Sequence, residues 1–295
     1  MRLGLLGFGE AGVRFAKDLS EGGLKEIVAY SRSGAKAQPG DALHNEAQAA
    51  GARLVKTVRE LCKRSDVIIA LTPGKAAVAA ARSIAKHMKP EQIYVDASSA
   101  AVQTMETVAQ MLEGKTRFVD AAIMSPVPLN GIKGVIGASG ADAEEFRARL
   151  APYGMNIKVV GEKPGGASAM KLIRSVCMKG LSAVLLECLE AAHRYGVLDA
   201  AAADIAGSFD ERPFAQNMKR YVCGTAVHAE RRIHEMADVL ALLNSLGSSA
   251  RMTKSTRAKL VDVTKMGLRE KFNAREPDTI AQVMEAIVAT TPERA

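Results

Sequence analysis

Along the first half of the chain, short runs of Val, Ile and Leu recur between alanine-rich stretches whose apolar positions have helical spacing. The runs Arg2 to Leu6, Glu26 to Tyr30, Asp66 to Leu71, Gln92 to Val95 and Arg117 to Ala122 read as strands. The intervening helices carry start signals such as Thr57 ahead of Glu60. This alternation predicts an α/β fold, a Rossmann-type doubly wound parallel sheet. From about Pro164 the period changes, and "GGASAMKLIRSVCMKGLSAVLLECLEAAHRYG" runs on without a proline or a strong breaker apart from Gly180. The stretch "VVGEKPGG" marks the boundary, where a last strand gives way to Pro164, Gly165 and Gly166. Residues 1–163 are therefore expected to form the sheet domain, and 164–295 an all-α C-terminal domain.

Composition narrows the function. At 295 residues and 48% hydrophobic content, the chain can bury two moderate cores. Cys62, Cys177, Cys188 and Cys223 are widely spaced, which predicts a reduced, cytoplasmic setting. No apolar stretch approaches the roughly 20 residues of a bilayer span, so no membrane role is expected. The net charge of +8 would suit nucleic acid, but only 4% of residues are aromatic and stacking platforms are scarce. An anionic small molecule is the expected partner. The five histidines, His44, His87, His193, His228 and His234, form no ligand spacing with the cysteines, so no metal is expected.

The chemistry begins at "GLLGFGEAGVRF". Gly7, Phe8, Gly9, Glu10, Ala11 and Gly12 occupy the turn between the first strand and the first helix, the G-x-G-x-x-G arrangement of dinucleotide sites. Gly7 makes the tight bend, Gly9 lets a pyrophosphate approach the backbone, and Gly12 lets helix pack on strand. Free amides and the positive helix end then meet the phosphates. At the end of the second strand an NAD site usually carries an acid, whereas this chain has Ser31 followed by Arg32 and Ser33, with Lys36 beyond. A guanidinium and hydroxyls suit a 2'-phosphate, which favours NADP and leaves NAD open; Arg32 also reads simply as a solvated loop residue.

The order of "GLLGFGEAG", "IIALTPG", "YVDASSA", "DAAIMSPVP" and "GGASAMKLIRS" resembles the β-hydroxyacid dehydrogenases, the group of 3-hydroxyisobutyrate and 6-phosphogluconate dehydrogenases, over nearly the whole chain. Its C-terminal part is most similar to a phosphogluconate-dehydrogenase-like branch without an assigned substrate. The resemblance implies that Leu71, Thr72 and Pro73 line the cofactor, and that Lys171, just beyond a glycine pair, is the general acid/base. Burial in the cleft between the domains and repulsion from Arg174 are expected to lower the pKa of Lys171. Ser98 and Ser99 correspond to a pair that grips the substrate carboxylate; either also fits as the N-cap of a helix from about Ala101 to Leu112. A homodimer is implied, with "AVLLECLEAA" and "MADVLALL" as candidate interface stretches.

Departures from the family pattern concern the substrate. Ser175 stands where an asparagine usually bonds the substrate oxygen, and Arg174 where phosphogluconate enzymes carry a histidine, suiting either a substrate anion or a nearby acid. Met124, Ser125 and Pro126 replace a serine and two glycines, which predicts a bulkier or less polar substrate, or a rearranged loop in which Ser125 supplies the hydroxyl. His234 and Glu235 occupy the slot of a lysine-aspartate pair; His234 is either a substrate contact or a surface residue, and Arg231 and Arg232 either draw anions or form a solvated face. An acid expected beyond the asparagine position is Met178, which argues against decarboxylation of 6-phosphogluconate. The leading expectation is an NADP-dependent oxidoreductase for a β-hydroxyacid-like alcohol or carbonyl. The alternatives are an imine or ketone reductase of the same architecture, against which Lys171 counts, and a non-catalytic NADP-binding sensor.

Overall fold

The structure is a computed structural model, and it describes residues 1–290. Residues 291–295, the end of the expected second domain, lie outside the described residues. The chain forms two compact units, Met1–Val176 and the remainder from Cys177 onward.

The first unit is built on β1 (Arg2–Leu6), β2 (Glu26–Tyr30), β3 (Arg53–Leu54), β4 (Val67–Ala70), β5 (Ile93–Asp96), β6 (Arg117–Ile123), β7 (Ile136–Ser139) and β8 (Ile157–Gly161). These make one eight-stranded sheet in the order β3-β2-β1-β4-β5-β6-β7-β8. All neighbours are parallel except β6 and β7, which run antiparallel. The helices of this unit are α1 (Glu10–Glu21), α2 (Ala42–Ala49), α3 (Val58–Lys63), α4 (Ala77–Ile84), α5 (Val102–Leu112), α6 (Val127–Asn130), α7 (Ala143–Leu150) and the start of α8 (Gly166–Tyr195).

Side-chain alternation divides the core between the two faces of the sheet. Leu3, Leu5, Val67, Ile69, Ile93 and Val95 point into one cluster with Phe15 and Leu19 of α1. Leu6, Ile68, Ala70 and Tyr94 point into the other, with Leu61 and Ile84. Strands buried on both faces read as apolar runs, and the bounds of β1 and β2 are those expected. At α3, Thr57 caps the helix by accepting from Glu60 N at 3.1 Å. The antiparallel β7 and the two-residue β3 were not expected from the alternation.

The second unit contains the rest of α8 with α9 (Leu198–Asp210), α10 (Phe214–Ser245), α11 (Arg251–Lys265), α12 (Leu268–Lys271) and α13 (Ile280–Thr290). The division falls inside α8, because that helix continues unbroken through Gly180. Its core is small-residue packing of α10 against α11 and α13, through Cys223, Ala226, Ala229, Leu260, Val263, Val283 and Ala286.

Candidate active site at the carboxyl ends of the strands

Strand order reverses direction between β1 and β4, so the loops leaving their carboxyl ends diverge and open a crevice there. Three loops meet at this edge. Gly7 has φ +106°, and a Cβ on it would come within 2.6 Å of Leu71 O; one on Gly12 would come within 2.5 Å of Gly7 O. A Cβ on Gly74 would lie 3.2 Å from Ala100 Cα. The β1, β4 and β5 loops therefore stack backbone on backbone.

Gly9 differs from its two companions. A Cβ there would meet nothing within 4 Å, so the chain's own packing gives no reason for a glycine. Beside it α1 begins without a side-chain cap, and first-turn amides have no partner one turn back. In the loop after β4, the buried Thr72 Oγ1 has no hydrogen-bond partner. Open space over Gly9, uncapped amides and an orphaned hydroxyl fit a bound dinucleotide. Glu10 and Ala11 belong to the first turn, whereas the Phe8 side chain is buried in the sheet core and can offer only backbone. Leu71 is partly buried against the same core, and Pro73 opens a short turn through Ala76 N, which donates to Pro73 O at 2.8 Å.

At the end of β2, Ser31 Oγ accepts from Gly34 N at 2.9 Å and lies 3.3 Å from Ser33 Oγ, closing a tight turn. Arg32 projects from this turn, exposed, and among the described residues no ion pair or side-chain hydrogen bond engages it.

The fourth element is α8. Lys171, in its second turn, is half-buried and donates from Nζ to Ser99 Oγ at 2.5 Å. Burial lowers the pKa of Lys171 below the ordinary lysine value. Burial accounts for the shift and the expected repulsion from Arg174 does not; the Arg174 guanidinium donates from Nη1 to Met124 O at 3.2 Å. Ser99 holds φ +59°, a left-handed backbone rare for serine. Neither Ser98 nor Ser99 caps α5, whose N-cap position is Ala101 with no side-chain bond. Ser98 N donates to Asp96 Oδ1 at 3.0 Å, and Ser98 Oγ, buried, makes no well-formed hydrogen bond.

Ser175 Oγ donates to Lys171 O at 3.0 Å, so this hydroxyl is committed to its own helix. Met124 lies over β7: a Cβ on Gly137 would be 3.0 Å from Met124 Cε and from Met170 Cε. Ser125 packs against Gly134, and Pro126 is the N-cap of α6. That segment is pinned to α1, since Arg14 Nη1 donates to Pro128 O at 2.7 Å and Asp18 Oδ2 accepts from Ile132 N at 3.0 Å. The loop is thus fixed against α1. His234 is exposed on α10 in the other unit, where Arg231 pairs with Glu235 and Arg232 donates to Thr225 Oγ1. Among the described residues no group of three or more His, Cys, Asp or Glu could hold a metal ion.

Four residues at this site escaped the sequence reading: Asp96, Asp120, Ser139 and Ser168, all buried. For the two aspartates the signal was an acid closing or interrupting an apolar run, in "IYVD" and "FVDAA"; the two serines carried none.

A glycine turn with open space over Gly9, a switch-point crevice and a lysine hydrogen-bonded to Ser99 fit a dinucleotide-dependent oxidoreductase. The family described as the NAD binding domain of 6-phosphogluconate dehydrogenase matches residues 2–161, more than half of the chain, and a domain of unknown function matches residues 192–263. The chain belongs to that family and is a dehydrogenase/reductase of the 3-hydroxyacid dehydrogenase kind, with a nicotinamide-dinucleotide-binding domain. A solved conserved protein of unknown function, described as structurally similar to 3-hydroxyacid dehydrogenases, is 31% identical over 90% of this chain and 98% of that one, with a TM-score of 0.60. The mitochondrial 3-hydroxyisobutyrate dehydrogenase of Drosophila melanogaster is 25% identical over 77% of this chain and 69% of its own length. An imine reductase variant from Myxococcus stipitatus, solved with NAD+, shares the fold at a TM-score of 0.76 and 20% identity, covering 97% of this chain and 99% of that one. No helix among the described residues is long and apolar enough to cross a membrane.

Proposed function

We propose that this enzyme is NADP-dependent and moves a hydride between the nicotinamide and a β-hydroxyacid-like alcohol or carbonyl, with Lys171 as general acid/base. The observation that carries the reading is the half-buried Lys171 held on Ser99 Oγ at the carboxyl edge of the sheet. The dinucleotide, when bound, supplies or accepts the hydride. Neutral Lys171 takes the alcohol proton in oxidation, and its ammonium returns one in reduction. Because burial depresses its pKa, the neutral base is present at lower pH than for a solvated lysine, and oxidation rises as pH passes upward through that depressed value.

Binding follows from the neighbours. Ser98 and Ser99 stand beside Lys171 to take a substrate oxygen, and Arg174, fixed through Nη1, keeps its other N–H groups for a carboxylate or phosphate. Met124 and the proline-bearing turn suit a bulkier, less polar substrate than the glycine-rich loop of the family would. His234 is a further candidate substrate contact. Arg32 with Ser31 and Ser33 supports NADP over NAD. We also read the protein as a cytoplasmic homodimer without nucleic-acid partners: its four cysteines are free, and Val184 and Leu186 of α8 stand exposed.

The test is a screen of hydroxyacids, sugar acids, aldehydes and cyclic imines with NADP(H) and NAD(H), comparing the parent with Lys171→Ala. Loss of about 100- to 10,000-fold in turnover with NADPH binding retained is the expected result. Undiminished turnover removes Lys171 from the mechanism, and turnover of imines alone favours the imine-reducing alternative. Arg32→Glu should invert the cofactor preference; an unchanged NADP preference overturns that part.

A further inference from the structure

Two aspartates that the mechanism above does not use lie side by side on the sheet, each bonded to a segment that carries one partner of the Lys171–Ser99 contact. Asp96 and Asp120 are register partners on β5 and β6, and neither is exposed to solvent. Each is bonded to donors of this chain. Asp120 Oδ2 accepts from Ser168 N at 2.9 Å and from Ser139 Oγ at 3.2 Å, and Oδ1 accepts from Ser168 Oγ at 2.7 Å. Ser139 Oγ in turn accepts from Ala167 N at 2.9 Å. Asp120 and Ser139 thereby take up the first amides of α8, one turn ahead of Lys171, and cap that helix from across the sheet.

Asp96 does the same for the other partner. Its Oδ1 accepts from Ser98 N at 3.0 Å and its Oδ2 from Tyr94 OH at 3.3 Å. The next residue is Ser99, whose left-handed backbone is adverse for a side chain and persists only where the surroundings enforce it. Here they do: Ser98 N is tied to Asp96, and the chain at Ala100 lies against Gly74. Two buried acids on adjacent strands oppose one another electrostatically, and a helix cap alone would need only one. What the two have in common is that one holds the segment bearing Lys171 and the other the segment bearing Ser99.

We propose that Asp96 and Asp120 form a paired mount which sets the distance between Lys171 Nζ and Ser99 Oγ through the β5–β6 ladder. They are positioning residues, and the role rests on the reading of Lys171 given above. Since the ladder between the mounts is backbone hydrogen bonding, the contact is in place before substrate arrives, and the entropy of ordering the lysine is removed from the reaction step.

The experiment uses the full chain with lysines labelled at 13Cε, the Lys171 signal being assigned with Lys171→Arg. Its titration is compared between the parent, Asp120→Asn and Ser168→Ala, alongside kcat, KM and NADPH affinity across pH. In Asp120→Asn the first turn of α8 loosens and the ammonium hydrates, so the Lys171 titration moves up toward the ordinary lysine value. In the same variant kcat falls about ten- to a hundredfold while KM and NADPH affinity are largely kept. Ser168→Ala should move both readouts the same way by less, and it keeps the test open should Asp120→Asn not fold. Asp96→Asn, whose amide oxygen still accepts from Ser98 N, should retain activity that Asp96→Ala loses. An unmoved Lys171 titration, or kcat, KM and NADPH affinity all falling together, overturns the mount. The titration needs no substrate, so it decides the mount even if Lys171→Ala proves active and the functional reading fails.

Discussion

The sheet unit and the helical unit bury their apolar residues to different ends. In the first, both faces of the sheet are covered, and Leu3, Leu5, Phe15, Ile68 and Tyr94 are all at most 1% exposed. In the second, the main core cluster draws as much on Cys and Ala as on Leu and Val, while Leu186 is 73% exposed and Tyr195 63%. An apolar cavity of about 620 Å³, lined by Val184, Cys188, Tyr195, Leu242 and Met252 among others, opens on the same unit. A unit that completes its own core can hold catalytic groups in fixed places. One that leaves such a surface open offers apolar area that a second copy of the chain would cover if the proposed homodimer forms.

The largest effect is expected from emptying the sheet core. Phe15→Ala removes a side chain 1% exposed and should cost about 3–5 kcal/mol, read by denaturant unfolding. If the variant keeps the parent's midpoint, the sheet unit is not the self-sufficient one.

Next come two glycines of the β1–α1 turn, which sharpen the comparison within the sheet unit. Gly12→Ala drives a Cβ onto Gly7 O and should destabilise by about 1–3 kcal/mol. Gly9→Ala meets open space, so its stability should match the parent while NADPH affinity falls. Equal loss of stability in both variants would show that Gly9 serves packing rather than a ligand.

These cases also show what the sequence made legible. Buried parallel strands are apolar runs, so β1 and β2 could be read to the residue, and the glycine turn and the Thr57 cap could be read because their partners are a few positions away. β7, "IGAS", carries small residues with no period-2 contrast, and β3 is only Arg53–Leu54, so neither announced itself. At the site, Lys171 was singled out only by the family resemblance, whose motif sets a lysine shortly after a glycine pair, here Gly165 and Gly166. The role of Asp120 was not, because its donor is an amide 48 positions along the chain. Nor was the fate of Ser175, whose hydroxyl turns back to its own helix, a choice that only the local geometry makes.

In the helical unit the corresponding anchor is electrostatic. Glu187 of α8 is 8% exposed, and its carboxylate accepts from Met252 N, Thr253 N and Thr253 Oγ1 at 2.8–2.9 Å, capping α11, whose N-cap Ala250 has no side-chain acceptor. Burial alone would raise its pKa, but the amides and hydroxyl prevail and hold it below the ordinary glutamate value. A depressed carboxylate stabilises above its unfolded pKa, and that stability is lost as pH falls through the folded pKa. Glu187→Gln should therefore cost about 1–3 kcal/mol at neutral pH and flatten the acid side of the stability profile. An acid side identical to the parent's would assign that pH dependence to other groups.

The smallest effect on folding should come from the most exposed leucine of the same helix. Leu186→Ala removes a side chain that is 73% exposed and replaces it with the best helix former, so unfolding of the dilute monomer should shift by no more than about 0.5 kcal/mol. Self-association is a different quantity. If a second copy covers α8, the lost methyl groups were buried in the dimer, and sedimentation should show weaker dimerisation at an unchanged monomer stability. On that result the same substitution would separate the two units' uses of apolar residues, with Phe15 holding one unit folded and Leu186 holding two chains together. Parent and variant sediments of equal mass at every concentration would leave the open face of the helical unit to some other occupant and remove the homodimer from the proposed function.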